Sequence, residues 1–228
     1  MGTLYITATP IGNLKDITLR ALEVLRSVDV ILCEDTRVTK KLLTHFDIHK
    51  PTISYHSYST LSKVERIIEL LRENKSLALV SDAGTPGISD PGNELVSKVR
   101  NTLPDVSVVV IPGPSALTAA LSGSGFPASE FHFLGYPPHK KGREKFFTKI
   151  TELKETVVFF ESKHRLMKAL GFLAESFGND RSIVVASELT KFFEEFTAGS
   201  AEEVYRYFER HKDKIKGEFV IMVSPKKR

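Results

Sequence analysis

The sequence predicts an α/β fold of two α/β domains. Two observations carry this. Short apolar runs alternate with segments whose apolar residues recur at helical spacing, the pattern of a largely parallel, helix-covered sheet. The runs also end in loops rich in Gly, Pro and small polar residues, as strands of such sheets do. Texture changes near 124–140, so a boundary falls within 112–137, and we assign the domains to 1–115 and 116–228.

Each element follows in order. Residues 4–8 form a strand. Ile17, Leu19, Leu22 and Leu25 give a helix over 17–27, with Asp16 as its N-cap. A strand at 28–33, a helix at 36–46 and a short strand at 52–55 come next. Val64, Ile67, Ile68 and Leu71 share one face of a helix over 61–72. Strand 77–80, helix 92–101, strand 106–111 and helix 115–121 complete the first half. Tyr136-Pro137-Pro138 reads as a stiff connector. Beyond it lie helix 143–153, strand 156–160, helix 164–177, strand 182–187, a strand-like stretch at 192–198, helix 201–210 and strand 218–223. Several strands of this half are linked briefly enough to pair in a mixed sheet. No internal repeat is evident.

The most informative loop is Ser81-Asp-Ala-Gly-Thr-Pro-Gly-Ile-Ser-Asp-Pro-Gly92. It holds three Gly, two Pro and two Asp in twelve residues, more punctuation than a connector needs. Two further loops, Thr9-Pro-Ile-Gly-Asn13 and Pro112-Gly-Pro-Ser-Ala116, are built alike. Parallel strands end along one edge, so the three can converge on one cleft. Read singly, each is also compatible with a tight turn and helix entry.

Composition bounds the function. Hydrophobic residues make up 41% and charged residues 26%, the balance of an ordinary water-soluble chain. No apolar run approaches the ~20 residues of a membrane span, and no secretory signal is visible. The start, Met-Gly-Thr-Leu-Tyr-Ile, lacks the Ser or Thr of a myristoylation signal. Cys33 is the single cysteine, so no internal disulfide forms and the cytoplasm is the expected compartment. The net charge of +4 is compatible with a polyanionic partner. Basic clusters lie at 139–145, 210–216 and 226–228. The dinucleotide fingerprint, the P-loop and the hydrolase nucleophile elbow are all missing. His45 and His49 are four apart, but no carboxylate pattern supports a metal site.

Three strand ends mix acids with bases. Glu34-Asp-Thr-Arg37 can be an ion pair capping the next helix or can face a substrate. Glu161-Ser-Lys-His-Arg165 and Glu188-Leu-Thr-Lys191 suit phosphate binding or proton transfer, and equally structural salt bridges.

Taken together, Ala8-Thr-Pro-Ile-Gly-Asn-Leu14, Glu34-Asp-Thr-Arg37, the 81–92 loop, Ile111-Pro-Gly-Pro-Ser-Ala116 and Glu188-Leu-Thr-Lys191 resemble the small-subunit rRNA ribose-2′-O-methyltransferases of the tetrapyrrole methylase superfamily. The resemblance covers nearly the whole chain. It departs at Ser187, where Arg is expected, and at Lys163, where Pro is usual. Many relatives also carry a further helical extension after the last strand.

The resemblance implies S-adenosylmethionine held in a cleft between the two domains. It implies a homodimer that acts on a cytidine of the 16S rRNA decoding centre in the small subunit. Carried over by motif, the cofactor-binding residues are Pro10, Ser81, Asp82, Ala83, Gly84, Thr85, Pro86, Ser115, Ala116, Phe160, Glu161 and Leu189. Asp82, Glu188 and Lys191 are the catalytic candidates, with Glu161 a further candidate base. Arg37, Lys140, Lys141, Arg143 and Arg165 are candidates for RNA contact, and no metal is expected. A tetrapyrrole methyltransferase and a non-catalytic RNA-binding protein are the competing readings.

Overall fold

The computed structural model describes residues 2–56 and 61–226. Lys227 and Arg228 of the C-terminal basic run lie outside them. The chain divides into two compact units, Met1–Ser115 and Ala116–Arg228.

The first unit runs β1 (Thr3–Thr7), α1 (Leu19–Ser27), β2 (Val30–Cys33), α2 (Thr36–His45), β3 (Thr52–Ser54), α3 (Leu61–Arg72), β4 (Leu77–Val80), α4 (Gly92–Thr102) and β5 (Ser107–Ile111). Its five strands lie in the order β3-β2-β4-β1-β5, and every pair is parallel. Both sheet faces are apolar because side chains alternate along each strand. Leu4, Ile6, Leu32 and Leu79 pack with Ile67 and Leu71 of α3 and Leu95 and Val99 of α4. Tyr5, Ile31, Cys33 and Val80 pack with Ala21 and Leu25 of α1 and Leu43 of α2. So α1 and α2 cover one face, and α3 and α4 the other.

This layering fixes a switch point. The chain leaves β1 toward the α1 face and leaves β4 toward the α4 face. Those strands are neighbours, paired from Leu4↔Leu77 to Thr7↔Val80. Loops leaving adjacent strands toward opposite faces open a crevice at the strands' C-terminal ends.

The second unit runs α5 (Ala116–Ser124), β6 (Phe131–Phe133), α6 (Arg143–Glu152), β7 (Thr156–Ser162), α7 (Leu166–Phe177), β8 (Ser182–Ser187), β9 (Glu195–Ser200), α8 (Ala201–Arg210) and β10 (Glu218–Val223). Its sheet has the order β6-β7-β10-β8-β9. The β6–β7 pair is parallel and the rest are antiparallel, which makes the expected mixed sheet. Phe147, Leu170, Val204 and Phe208 seal α6, α7 and α8 onto Val157, Phe159, Val185 and Ile221. On the other face, a Cβ on Gly123 of α5 would meet the Phe196 ring at 2.4 Å, so only glycine lets helix and strand approach so closely.

The structure corrects three readings of the sequence. Thr18, not Asp16, caps α1: its hydroxyl accepts from the Ala21 N–H, while Asp16 ends a separate 3-10 turn, Leu14–Asp16. A strand at Phe131–Phe133 went unpredicted, being only three residues between Pro and Gly. The last hairpin strand starts at Glu195 rather than 192; Phe192 and Phe193 sit in the turn before it.

Candidate functional site

The crevice loops are bound to one another. The Thr9 N–H donates to the Gly84 carbonyl at 2.9 Å and the Gly84 N–H returns the bond at 3.1 Å. The Thr9 hydroxyl donates to the Ser81 carbonyl at 3.0 Å, and the Thr85 hydroxyl to the Pro114 carbonyl at 3.1 Å. The loops after β1, β4 and β5 therefore meet at one edge, as their parallel strands require. Two of the glycines have assigned tasks. Gly84 takes φ +84°, and its missing side chain lets Ile11 close in (a Cβ would stand 3.3 Å from the Ile11 methyl). At Gly113 a Cβ would lie 3.0 Å from that of Ala8. Inside the long loop, the Asp90 carboxylate accepts from the N–H groups of Gly87 and Gly92 at 2.6 and 2.8 Å, which fixes the turn into α4.

The loop after β2 joins the same edge. Ser81 is buried, and its hydroxyl donates to the Glu34 carboxylate at 3.3 Å. The Asp35 N–H donates to the exposed Asp82 carboxylate at 3.1 Å. Burial pushes the Glu34 carboxyl above its ordinary value, with help from the charges of Asp90 and Asp82. Burial also raises Asp82, with Asp35 adding to it, against the opposing backbone hydrogen bond. Asp35 goes the other way, to about 2, because the Arg37 guanidinium bonds it. Asp35 also caps α2 through the Arg37 N–H. So Asp35 and Arg37 form the ion pair that caps α2, the first of the two readings the sequence allows, while Glu34 lies at the crevice edge beside Ser81. The Arg37 side chain is 87% exposed, tethered to Asp35 at 2.6 Å.

Pro10 and Pro86 are buried, Thr85, Ser115 and Ala116 half-buried, and Ala83 exposed. Thr9, which ties the loops, was missed by sequence reasoning; a polar residue directly after an apolar strand was the available signal.

In the second unit, the Glu188-Leu-Thr-Lys191 turn is strained. Glu188 and Thr190 take φ of 49° and 64° without being glycine. Lys191 Nζ holds the Glu188 carboxylate at 2.9 Å, and Leu189 is buried beneath. Gly217, another residue with no local signal, makes room for the turn: a Cβ there would lie 2.6 Å from Glu188 Oε1. Phe160, half-buried at the end of β7, packs against Phe133 and Tyr136 with ring centroids 4.9 and 5.3 Å away. Burial and the neighbouring Glu218 carboxylate push the Tyr136 phenol well up.

Glu161 makes the salt bridge that the sequence left open as one of its readings. It is fully buried, with Oε2 bonded to Arg143 at 2.9 Å and Oε1 to Arg165 at 2.8 Å. The carboxylate is held by two guanidinium groups and closed to solvent. Arg143 itself is 8% exposed, and Arg165 also donates to the Pro137 carbonyl at 2.9 Å. Arg143 thus ties α6 to β7, and Arg165 ties the Tyr136-Pro-Pro segment to the same carboxylate, so both guanidinium groups have partners inside the fold. Lys140 and Lys141 remain exposed on the loop before α6. Among the described residues, no helix is long and apolar enough to cross a membrane.

The fold and crevice define a class. The model of the Tetrapyrrole (Corrin/Porphyrin) Methylases matches residues 3–205, and the chain belongs to that family. Within it, the chain is 44% identical over 226 residues to the protein of Thermotoga maritima named Ribosomal RNA small subunit methyltransferase I, covering 99% of this chain and 100% of that one. The protein of that name from Xylella fastidiosa is 46% identical, with 98% of this chain and 81% of the relative covered. That of Bacillus subtilis is 44% identical, with 98% and 75% covered. Crystal structures of diphthine synthase (TM-score 0.74, 16% identity, 98% of this chain and 90% of that one) and of the methyltransferase CobJ (0.70, 16%, 99% and 95%) share the fold.

Proposed function

We propose that this methylase transfers the methyl group of S-adenosylmethionine to the ribose 2′-hydroxyl of a cytidine in 16S rRNA. The observation that carries it is the reciprocal Thr9–Gly84 hydrogen-bond pair at the switch point, which locks two loops into one rim beside Asp82. The names of the relatives, matched over nearly the full chain, support ribosomal RNA as the substrate class.

The donor set suits the cofactor. S-adenosylmethionine is a sulfonium with an ammonium and an adenosine, and it supplies an activated methyl when bound. The raised Glu34 and Asp82 carboxylates give the crevice a negative lining for a cation. Main-chain groups of Pro10 and of residues 81–86, with Ser115, would hold it in the first unit; Ala116, Phe160 and Leu189 are the second unit's candidates, on the resemblance alone. The rest of the chemistry falls to the chain. Asp82 is exposed and its carboxyl is raised, so it accepts the proton of the 2′-hydroxyl. Glu188 and Lys191, ion-paired to each other, order the turn that carries Leu189. Arg37, Lys140 and Lys141 contact phosphates. The homodimer implied by the resemblance belongs to the same reading.

The test is transfer of labelled methyl from S-adenosylmethionine to small ribosomal subunits that lack the modification. The expected product is label in 16S rRNA at a linkage resistant to alkali, the signature of a blocked 2′-hydroxyl. D82N should lose on the order of 10²–10⁴-fold in kcat while still binding the cofactor. Label in a porphyrinoid and none in RNA would reverse the assignment.

A further inference from the structure

We propose that the β8–β9 turn and the basic segment before β10 form one platform for unpaired RNA, with Phe192 and Phe193 stacking on its bases. The inference rests on RNA being the substrate and extends it to residues that no motif assigns. Phe192 is 93% exposed and Phe193 76%, the largest exposures of any large aromatic residue in the described chain. Their rings meet edge to face at 5.0 Å. The turn beneath them is rigid: Lys191 is ion-paired to Glu188, and Glu194 accepts from the Thr190 N–H at 2.6 Å. Two large apolar side chains held out on an ordered turn gain nothing from the fold itself.

The second half of the platform is the 210–216 cluster. Lys214 reaches Glu195, two residues after Phe193, at 2.7 Å, and Gly217 abuts Glu188. These contacts fasten the segment carrying exposed Arg210, Lys212 and Lys216 to the base of the aromatic turn. Glu195 is neutralised by Lys214, and Arg210, Lys212 and Lys216 outnumber the two acids left there, Glu194 and Asp213. Exposed rings for base faces beside cations for phosphates are how single strands are bound without sequence readout. A second copy of the chain would have less use for the lysines.

The test is binding of a mixed-sequence single-stranded RNA oligonucleotide, and of the same sequence as a duplex, to the full chain. Wild type should prefer the single strand. F192A/F193A should weaken single-strand binding on the order of tenfold or more, and F192W/F193W should retain it. K212A/K216A should reduce the dependence of log K on log[salt] by roughly 1.4. Since all these residues are exposed, the melting temperature should stay at the wild-type value. On small subunits F192A/F193A should raise KM and leave kcat unchanged. Unchanged RNA affinity in F192A/F193A overturns the inference, and a shift of sedimentation from dimer to monomer would then assign the rings to a second copy. Phe-dependent binding without any RNA methylation would instead uphold the platform and defeat the proposed reaction.

Discussion

Glu161 is where charge and burial disagree with a surface reading of the sequence. Its carboxylate is closed to solvent and shared by Arg143 and Arg165. E161A would leave two uncompensated cations, one of them buried, and should cost about 3–5 kcal/mol in urea unfolding. A loss below 1 kcal/mol would mean the network is not closed. Glu34 couples folding to pH. Its folded carboxyl titrates above the ordinary 4.5, so the folded state binds the proton more tightly than the unfolded one. That contribution to stability is complete below pH 4.5 and is lost as pH rises through the folded value. E34Q should therefore match wild type at low pH and exceed it at neutral pH, while binding S-adenosylmethionine more weakly. A variant that loses stability as pH rises just as wild type does would show that Glu34 is not the group responsible. At this scale the sequence was uneven. The 81–92 loop was legible because Gly, Pro and Asp declare backbone geometry. The Glu161 network was not, because an acid among bases looks the same whether it is solvated or buried, and Arg143 lies 18 residues away.

Among elements, α8 is the one whose sequence and structure agree most closely. Ser200 accepts from the Glu203 N–H, and the Glu203 carboxylate accepts in return from the Ser200 N–H at 2.8 Å, a reciprocal cap. Val204 and Phe208 then fall on the buried face. S200A should cost about 1 kcal/mol, read as a shift of the urea midpoint with unchanged slope. The β8–β9 turn makes the contrasting case. G217A would put a methyl group into the Glu188 carboxylate and strain a residue at φ +68°. It should reduce methyl transfer more than stability, because what it displaces is the Glu188–Lys191 pair rather than core packing. Strands and helices were legible from apolar period alone wherever a face is buried. The pattern misled at Phe192 and Phe193, which are apolar yet exposed, and it was too short to reveal β6. The switch point followed from strand order, which no single element encodes, but the Gly- and Pro-rich loops had marked which strand ends to watch.

For the whole molecule, the partner class should be readable in salt. The chain carries a net +4, and 11 of its 32 basic residues fall in the clusters at 139–145, 210–216 and 226–228. If Arg37, Lys140, Lys141, Lys212 and Lys216 each neutralise a phosphate, log K for ribosomal RNA should fall with log[KCl] at a slope of roughly −3.5 to −4.5. S-adenosylmethionine, held as proposed by short-range contacts of the crevice loops, should show almost no such slope. K140E/K141E then separates the two ligands. It should flatten the RNA slope by about 1.5, raise KM for small subunits, and leave both kcat and the cofactor Kd in place. A flat RNA slope in wild type would mean that no RNA phosphates are bound and would favour the tetrapyrrole reaction. An unchanged slope in K140E/K141E would move the phosphate path off the loop before α6 and leave Arg37 and the 210–216 segment to hold the strand.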